Sequence, residues 1–168
     1  MKKVKGGKPH WVKFHKKLPE DSIIGGYEEE VLYIMRAMHE TALTPGKFVP
    51  STGKGYVEWG WHVHEKSEFE IFCGYDCIWV PSSGNKIPVG AIEAGYTEGV
   101  HEIMYIGRVM YNNHVIPGKI APSHCVCYIA YAGQSLAIEE YEILVDPFQR
   151  NKSVNDFYVS NLHTPNSM

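Results

Sequence analysis

Long hydrophobic runs are missing from this sequence of 168 residues, and no apolar stretch approaches the ~18–20 residues that a membrane-spanning helix needs. An excess of positive charge is also missing. The 16 lysines and arginines face 19 aspartates and glutamates, and the net charge of −3 argues against nucleic acid as a partner. No apolar segment follows the basic N-terminus, as it would in a secretory signal. We expect no transmembrane segment and a cytoplasmic location, with vesicle association or release without a signal peptide as alternatives.

Helical periodicity and the common enzyme motifs are scarce as well. The sequence has no phosphate-binding loop, dinucleotide fingerprint, G-x-S-x-G or H-E-x-x-H motif. Its 16 glycines, 10 prolines and 11 tyrosines favour a turn-rich β protein. Strands are predicted at 31–37, 103–109, 126–131 and 139–145. Turns are predicted at Thr44-Pro45-Gly46, Ser83-Gly84-Asn85 and Ile116-Pro117-Gly118.

Cysteine is also sparse. The four cysteines are Cys73, Cys77, Cys125 and Cys127. In a reducing compartment they are expected to stay free thiols, and a four-sulfur zinc site is the alternative. No cofactor and no metal ligand are assigned.

An internal repeat dominates what the sequence does contain. The motifs G-Y, Y-I-x-R, P-G-K and P-S occur twice in the same order. Tyr33 of the first copy aligns with Tyr105 of the second, and from there on the two copies align without a gap. The second copy carries three extra residues between Tyr96 and Tyr105. The predicted organisation is a basic arm (1–8), a first repeat (9–75), a second repeat (76–146) and a polar tail (147–168), in which 157–159 offer a short strand. We predict an all-β fold in which two tandem repeats form a pseudo-twofold, antiparallel, β-sandwich-like domain with one shared core.

The second copy carries the clearest family pattern. It reads Ala94-Gly95-Tyr96, Tyr105-Ile106-Gly107-Arg108, Pro117-Gly118-Lys119, Tyr131-Ala132-Gly133 and Glu140-Tyr141-Glu142-Ile143-Leu144. This series resembles the DM-nine repeat family of invertebrates. The first copy departs from the pattern where Trp59-Gly60-Trp61-His62 replaces the Y-x-G segment. The resemblance implies a non-enzymatic lectin for mannose-containing glycans, with roles in innate immunity or in the response to pathogens and stress.

The resemblance also implies which residues bind sugar, namely the acid after G-Y and the lysine of P-G-K. Carried over, these are Glu28 and Lys47 in the first repeat, and Thr97, with its neighbour Glu98, and Lys119 in the second. A carboxylate accepts hydrogen bonds from hydroxyl groups and an ammonium donates three, so the pair suits a pyranose. Solvated surface charges are the alternative. Two sites per chain, and more in a homodimer, would raise avidity for a glycan-coated surface.

Two further hypotheses compete with the lectin. The first is a cupin-like metal-dependent enzyme: His62 and His64 on one strand face, with Glu68 at the same parity, resemble a cupin metal motif, with His101, His114 or His124 as a fourth ligand. Against it, the second repeat has Gln134 and Leu136 at the matching positions. A stress-responsive scaffold whose sugar site has decayed is the other alternative, which the Glu28 and Thr97 substitutions favour. Arg36 and Arg108 are expected to pair with Glu70 and Glu142 as structural ion pairs, with ligand binding as the alternative.

Overall fold

The computed structural model describes residues 6–149 and is almost entirely β. A short 3-10 turn, Pro122–His124, interrupts the strands. The strands of the first repeat are β1 His10–Lys13, β2 Ile24–Glu28, β3 Glu30–His39, β4 Ala42–Val49, β5 Lys54–Trp59, β6 His62–Lys66 and β7 Glu70–Cys73. Those of the second are β8 Ile78–Ser83, β9 Glu93–Tyr96, β10 Ile103–Tyr111, β11 His114–Ala121, β12 Val126–Tyr131, β13 Gln134–Ile138 and β14 Glu140–Val145.

The two repeats have the same strand pairing. In the first, β3 pairs with β2, β4 and β7, and β4 continues through β5 to β6, while β1 covers the edge of β7. The second repeats this pattern with β10 at its centre. The prediction of an antiparallel all-β fold is confirmed, and the strands join in one branched sheet.

The repeats are joined by two equivalent strand pairs. Strand β2 pairs with β11 at Tyr27 and Val115, and β9 pairs with β4 at Tyr96 and Leu43. Tyr27 and Tyr96 are the tyrosines of the two G-Y motifs. Gly26 and Gly95 precede them because a Cβ at either position would lie 2.0 Å from a carbonyl oxygen of the opposite repeat. The G-Y motif is therefore the contact at which each repeat joins its partner.

The core has three parts. Each repeat has its own apolar cluster, around Ile71 in the first and Ile143 in the second. The third cluster lies between them and contains matching residues from both copies, with partly buried Trp11, Ile23, Trp79 and Ile92 packed on it; its buried members are Ile34, Phe72, Ala94, Ile106 and Leu144. The predicted shared core is thus present, with a separate core on either side of it.

The P-G-K motifs lie inside strands, so the predicted turns at Pro45 and Pro117 are wrong. Each proline lies where its strand changes neighbours. Strand β4 pairs with β9 at Leu43 and with β5 from Lys47 onward, and β11 changes from β2 to β12 in the same way. Each proline lacks a backbone N–H, but it lies between the two neighbouring strands on that side, so no inter-strand hydrogen bond is lost there. Gly46 follows because a Cβ there would lie 2.2 Å from the carbonyl oxygen of Tyr56. The predicted turn at Ser83-Gly84-Asn85 is present.

One pair of core positions has exchanged large and small residues between the repeats. In the first, a Cβ on Gly55 would lie 2.3 Å from Met35 Cε, and in the second a Cβ on Gly107 would lie 2.7 Å from Cys127 Sγ. Met35 matches Gly107 and Gly55 matches Cys127 in the repeat alignment. The Met35 side chain therefore fills the space beside Gly55 in the first repeat, and the Cys127 side chain fills the space beside Gly107 in the second.

We expect Gly107→Met to destabilise the protein by roughly 1–3 kcal/mol, because its side chain meets Cys127 and Ile120 in a filled core. Adding Cys127→Gly recreates the arrangement of the first repeat and should restore much of that loss. Urea unfolding of both single variants and the double variant measures the coupling. Additive free-energy changes would show that the two positions do not share one space.

The predicted arginine pairs are confirmed. Arg36 Nε donates to Glu70 Oε1 at 3.0 Å, and Arg108 Nε donates to Glu142 Oε1 at 2.9 Å. Each guanidinium also lies over a tryptophan ring, Trp11 at 4.3 Å and Trp79 at 4.4 Å, which explains why both repeats begin with tryptophan.

The two ends of the chain lie largely beyond the described residues. Of the predicted basic arm, Gly7 accepts a hydrogen bond from Tyr75 N at 2.8 Å. The short strand suggested for 157–159 lies outside the described residues. Among residues 6–149, no helix has the length and apolar character to cross a membrane.

Candidate functional site

The structure brings Glu28 and Lys47 together. Glu28 ends β2, Lys47 lies inside β4, and Lys47 Nζ donates to Glu28 Oε2 at 2.8 Å. The lysine is 7% exposed, and the glutamate side chain is 21% exposed. The pair lines an open cleft of about 370 Å³. We call Glu28 and Lys47 the first clamp.

The second repeat has an equivalent pair, but its acid comes from the first repeat. Lys119 Nζ lies 3.1 Å from Glu58 Oε2, and the same ammonium donates to the backbone carbonyl of Glu58. Glu58 is 5% exposed and Lys119 7%. In the alignment Glu58 matches Ala130, and Thr97 matches Glu28. The carboxylate lost at Thr97 is thus replaced from another strand, and we call Glu58 and Lys119 the second clamp.

Each clamp lies where the two repeats meet. The cleft of the first is lined on one side by Ala130, Ala132 and Gly133 of the second repeat. The cavity of the second, about 560 Å³, is lined by the tip of the first repeat's β5–β6 hairpin, Trp59-Gly60-Trp61. Neither repeat alone would enclose its own lysine.

The three-residue insertion shapes the larger cavity. Thr97 and Glu98 both line it, so the second set of predicted residues lies together with Lys119. Thr97 Oγ1 accepts the Glu102 N–H at 3.0 Å and closes the inserted loop. Glu102 in turn binds the backbone N–H of Ser123 at 3.1 Å, as Glu30 binds that of Ser51 at 2.7 Å in the first repeat. These bonds hold the turn that follows the clamp strand at the same place in both repeats.

Burial dominates the electrostatics of the second clamp. Removal from water lowers the pKa of Lys119 from its usual value of 10.5, while the adjacent Glu58 and the nearby Glu98 oppose that shift. Glu58 therefore stabilises the charged form of Lys119 against the cost of burial.

The metal alternatives are not assembled. Strand β6 ends at Lys66, so Glu68 lies beyond it and the predicted common face with His62 and His64 is wrong. His64 Nε2 lies 3.0 Å from the carbonyl oxygen of Trp59. Among residues 6–149, no three His, Cys, Asp or Glu side chains converge on a point where a metal could bind. The four cysteines are unbonded, with Cys73 and Cys127 buried in different cores.

His64 instead stacks on His39, with ring centroids 3.9 Å apart. Lys66 Nζ lies 2.8 Å from His39 Nδ1, an arrangement that requires an unprotonated nitrogen. Burial, followed by the Lys66 charge, lowers the pKa of His39 from its usual 6.5.

We expect this histidine to make the fold sensitive to acid. Since the pKa of His39 is lower in the folded chain than in the unfolded chain, the unfolded chain takes up the proton first as the pH falls through 6.5, and stability decreases. Between about pH 7.5 and 5.5 the Tm of the wild type should fall more steeply than that of His39→Gln, which cannot be protonated. Parallel pH dependences would assign the acid sensitivity to other groups.

Two residues of the second cavity were missed at the sequence level, Glu58 and Trp61. Two features of the sequence could have indicated them. The first repeat departs from the family pattern at Trp59-Gly60-Trp61-His62, and the second repeat lacks the expected acid at Thr97.

Comparison with known families agrees with the repeated architecture. The DM9 repeat model matches residues 27–138 and again 99–161. The chain belongs to the DM9 repeat family. The resemblance seen in the sequence is confirmed. A comparison with curated protein sequences gives no match.

A solved structure shares the fold. The crystal structure of the nematode sperm cell motility protein MFP2B matches with a TM-score of 0.57 and 13% identity. The match covers 86% of this chain and 48% of the nematode chain, so this DM9 protein spans about half the length of that relative. At this identity the likeness concerns the fold alone.

Proposed function

We propose that this DM9 protein is a non-enzymatic lectin and that its first clamp recognises mannose-type glycans. The supporting observation is the Glu28–Lys47 pair, two opposite charges 2.8 Å apart at the edge of an open cleft. This DM9 geometry also occurs a second time in the chain, around Lys119.

The first clamp has hydrogen-bonding capacity to spare. Among the described residues, Lys47 Nζ donates to Glu28 alone, so two of its three N–H bonds can point to a ligand. The Glu28 carboxylate is partly exposed and lines the cleft, so it can accept a hydrogen bond from a sugar hydroxyl. Adjacent hydroxyls of a pyranose supply both a donor and an acceptor, so one sugar can bridge the pair.

Avidity gives the two clamps a joint role. A single sugar site commonly binds with a Kd near 1 mM, equivalent to about −4 kcal/mol. Two sites per chain, or four in a homodimer, can raise binding to a glycan-coated surface by ~10²–10⁴-fold where the spacing permits. Such a surface fits a role in innate immunity or pathogen response, for a cytoplasmic protein that meets foreign glycans at vesicles or after release without a signal peptide.

Titration calorimetry with methyl α-mannoside tests the proposal. We expect saturable millimolar binding to the intact chain and stronger retention on a mannan surface by a homodimer, which carries two first clamps. Absence of heat and of retention at tens of millimolar sugar would reject the lectin function.

A further inference from the structure

The second clamp differs from the first in a way that bears on its ligand. Lys119 Nζ donates to the backbone carbonyl of Glu58 and forms an ion pair with the Glu58 carboxylate at 3.1 Å. Glu58 is buried, and its Oε1 accepts the backbone N–H of Trp61 at 3.0 Å. Less polar capacity therefore remains for hydroxyl groups here than at Lys47.

An aromatic surface replaces that capacity. Trp61 is 66% exposed and lines the cavity. Its ring lies 5.5 Å from that of Tyr128, at 81°, and Tyr128 in turn lies under Lys119 Nζ at 5.5 Å. The first cleft keeps Tyr56, the equivalent of Tyr128, but has no equivalent of Trp61, because the matching residue is Gly133.

Trp61 is held at a position where a bulky residue is unfavourable. It is the second residue of the two-residue turn between β5 and β6, with φ of 66°. This left-handed conformation normally selects glycine, as Gly133 shows with φ of 75°. Strain of this kind is characteristic of functional sites, and the hydrogen bond from Trp61 N to Glu58 stabilises it. The buried acid thus connects the ammonium to the tryptophan.

We propose that the second clamp binds β-glucoside-type pyranosides, whose unbroken C–H face stacks on Trp61 while Lys119 donates an N–H to one hydroxyl. In a β-glucoside every ring substituent is equatorial, so the axial C–H bonds form an apolar face that suits an indole. The axial 2-hydroxyl of mannose interrupts one such face. This inference rests on the proposed lectin function and assigns its two sites to different sugars.

The test compares methyl β-glucoside with methyl α-mannoside by NMR titration of the intact chain. Trp61→Gly introduces the residue of the other repeat and is expected to fold, while Trp61→Phe retains a ring. We expect Trp61→Gly to weaken β-glucoside binding by about fivefold or more, with recovery in Trp61→Phe and little change for α-mannoside. Lys47→Met should weaken α-mannoside binding and change β-glucoside binding little.

The outcomes separate the two proposals. If α-mannoside binds but β-glucoside does not, or if β-glucoside binding is unchanged in Trp61→Gly, the assignment of the second clamp is overturned and the lectin function stands. If neither sugar binds, both proposals fail.

Discussion

Lys47→Met is expected to weaken mannoside binding by about tenfold or more, because it removes the charged donor of the first clamp. Methionine retains the apolar length of the side chain, and it removes a charge that is only 7% exposed. Glu28 remains partly exposed to water, so the fold should be maintained. Titration calorimetry with methyl α-mannoside measures the loss.

Lys54→Met is the matched control. Lys54 lies on the neighbouring strand β5, its ammonium donates to Ser67 Oγ at 2.8 Å, and it lines neither clamp's cavity. The same substitution there should leave mannoside affinity within about twofold. Equal losses in both variants would mean that general charge, and not the clamp, governs binding.

Glu58→Ala is expected to cause the largest loss of stability, about 3–5 kcal/mol, because it leaves Lys119 charged, buried and unpaired. It also removes the acceptor of the Trp61 N–H in a strained turn. For a chain of this size the Tm should fall by roughly 10 °C. Thermal unfolding followed by circular dichroism measures the effect.

A second substitution distinguishes an unpaired charge from simple loss of packing. Adding Lys119→Met to Glu58→Ala removes the charge and should restore most of the stability. Glu65→Ala, which removes an exposed acid bound to Tyr56 Oη at 3.2 Å, should change the free energy of unfolding by less than about 1 kcal/mol. No rescue in the double variant would contradict the electrostatic explanation.

Much of the fold was predictable because the same pattern of strands and motifs occurs twice in the sequence. Strand β12 begins and ends where alternation and flanking turn residues place it, at Val126 and Tyr131. The pairing of Arg36 with Glu70 followed from the cost of burying an unpaired charge. The P-G-K segments were predicted wrongly because Pro and Gly are typical of turns, and only the partner change along β4 and β11 explains why a sheet accepts them.

The candidate site was predictable where the family pattern is local. Glu28 and Lys47 belong to motifs of one repeat, and the structure brings them to 2.8 Å. Glu58 was not predictable in the same way, because it reaches Lys119 from 61 residues away and across the boundary between repeats. Aligning the two repeats compares only equivalent positions. The acid missing at Thr97 is replaced by Glu58, which lies at a position that is not equivalent to Thr97.

The most direct test of the account is a crystal structure of the intact chain with methyl α-mannoside. We expect a pyranose in the first cleft, with neighbouring hydroxyls hydrogen-bonded to Glu28 and to Lys47 Nζ. A sugar bound elsewhere, or an empty cleft at ligand concentrations that saturate binding in solution, would contradict it.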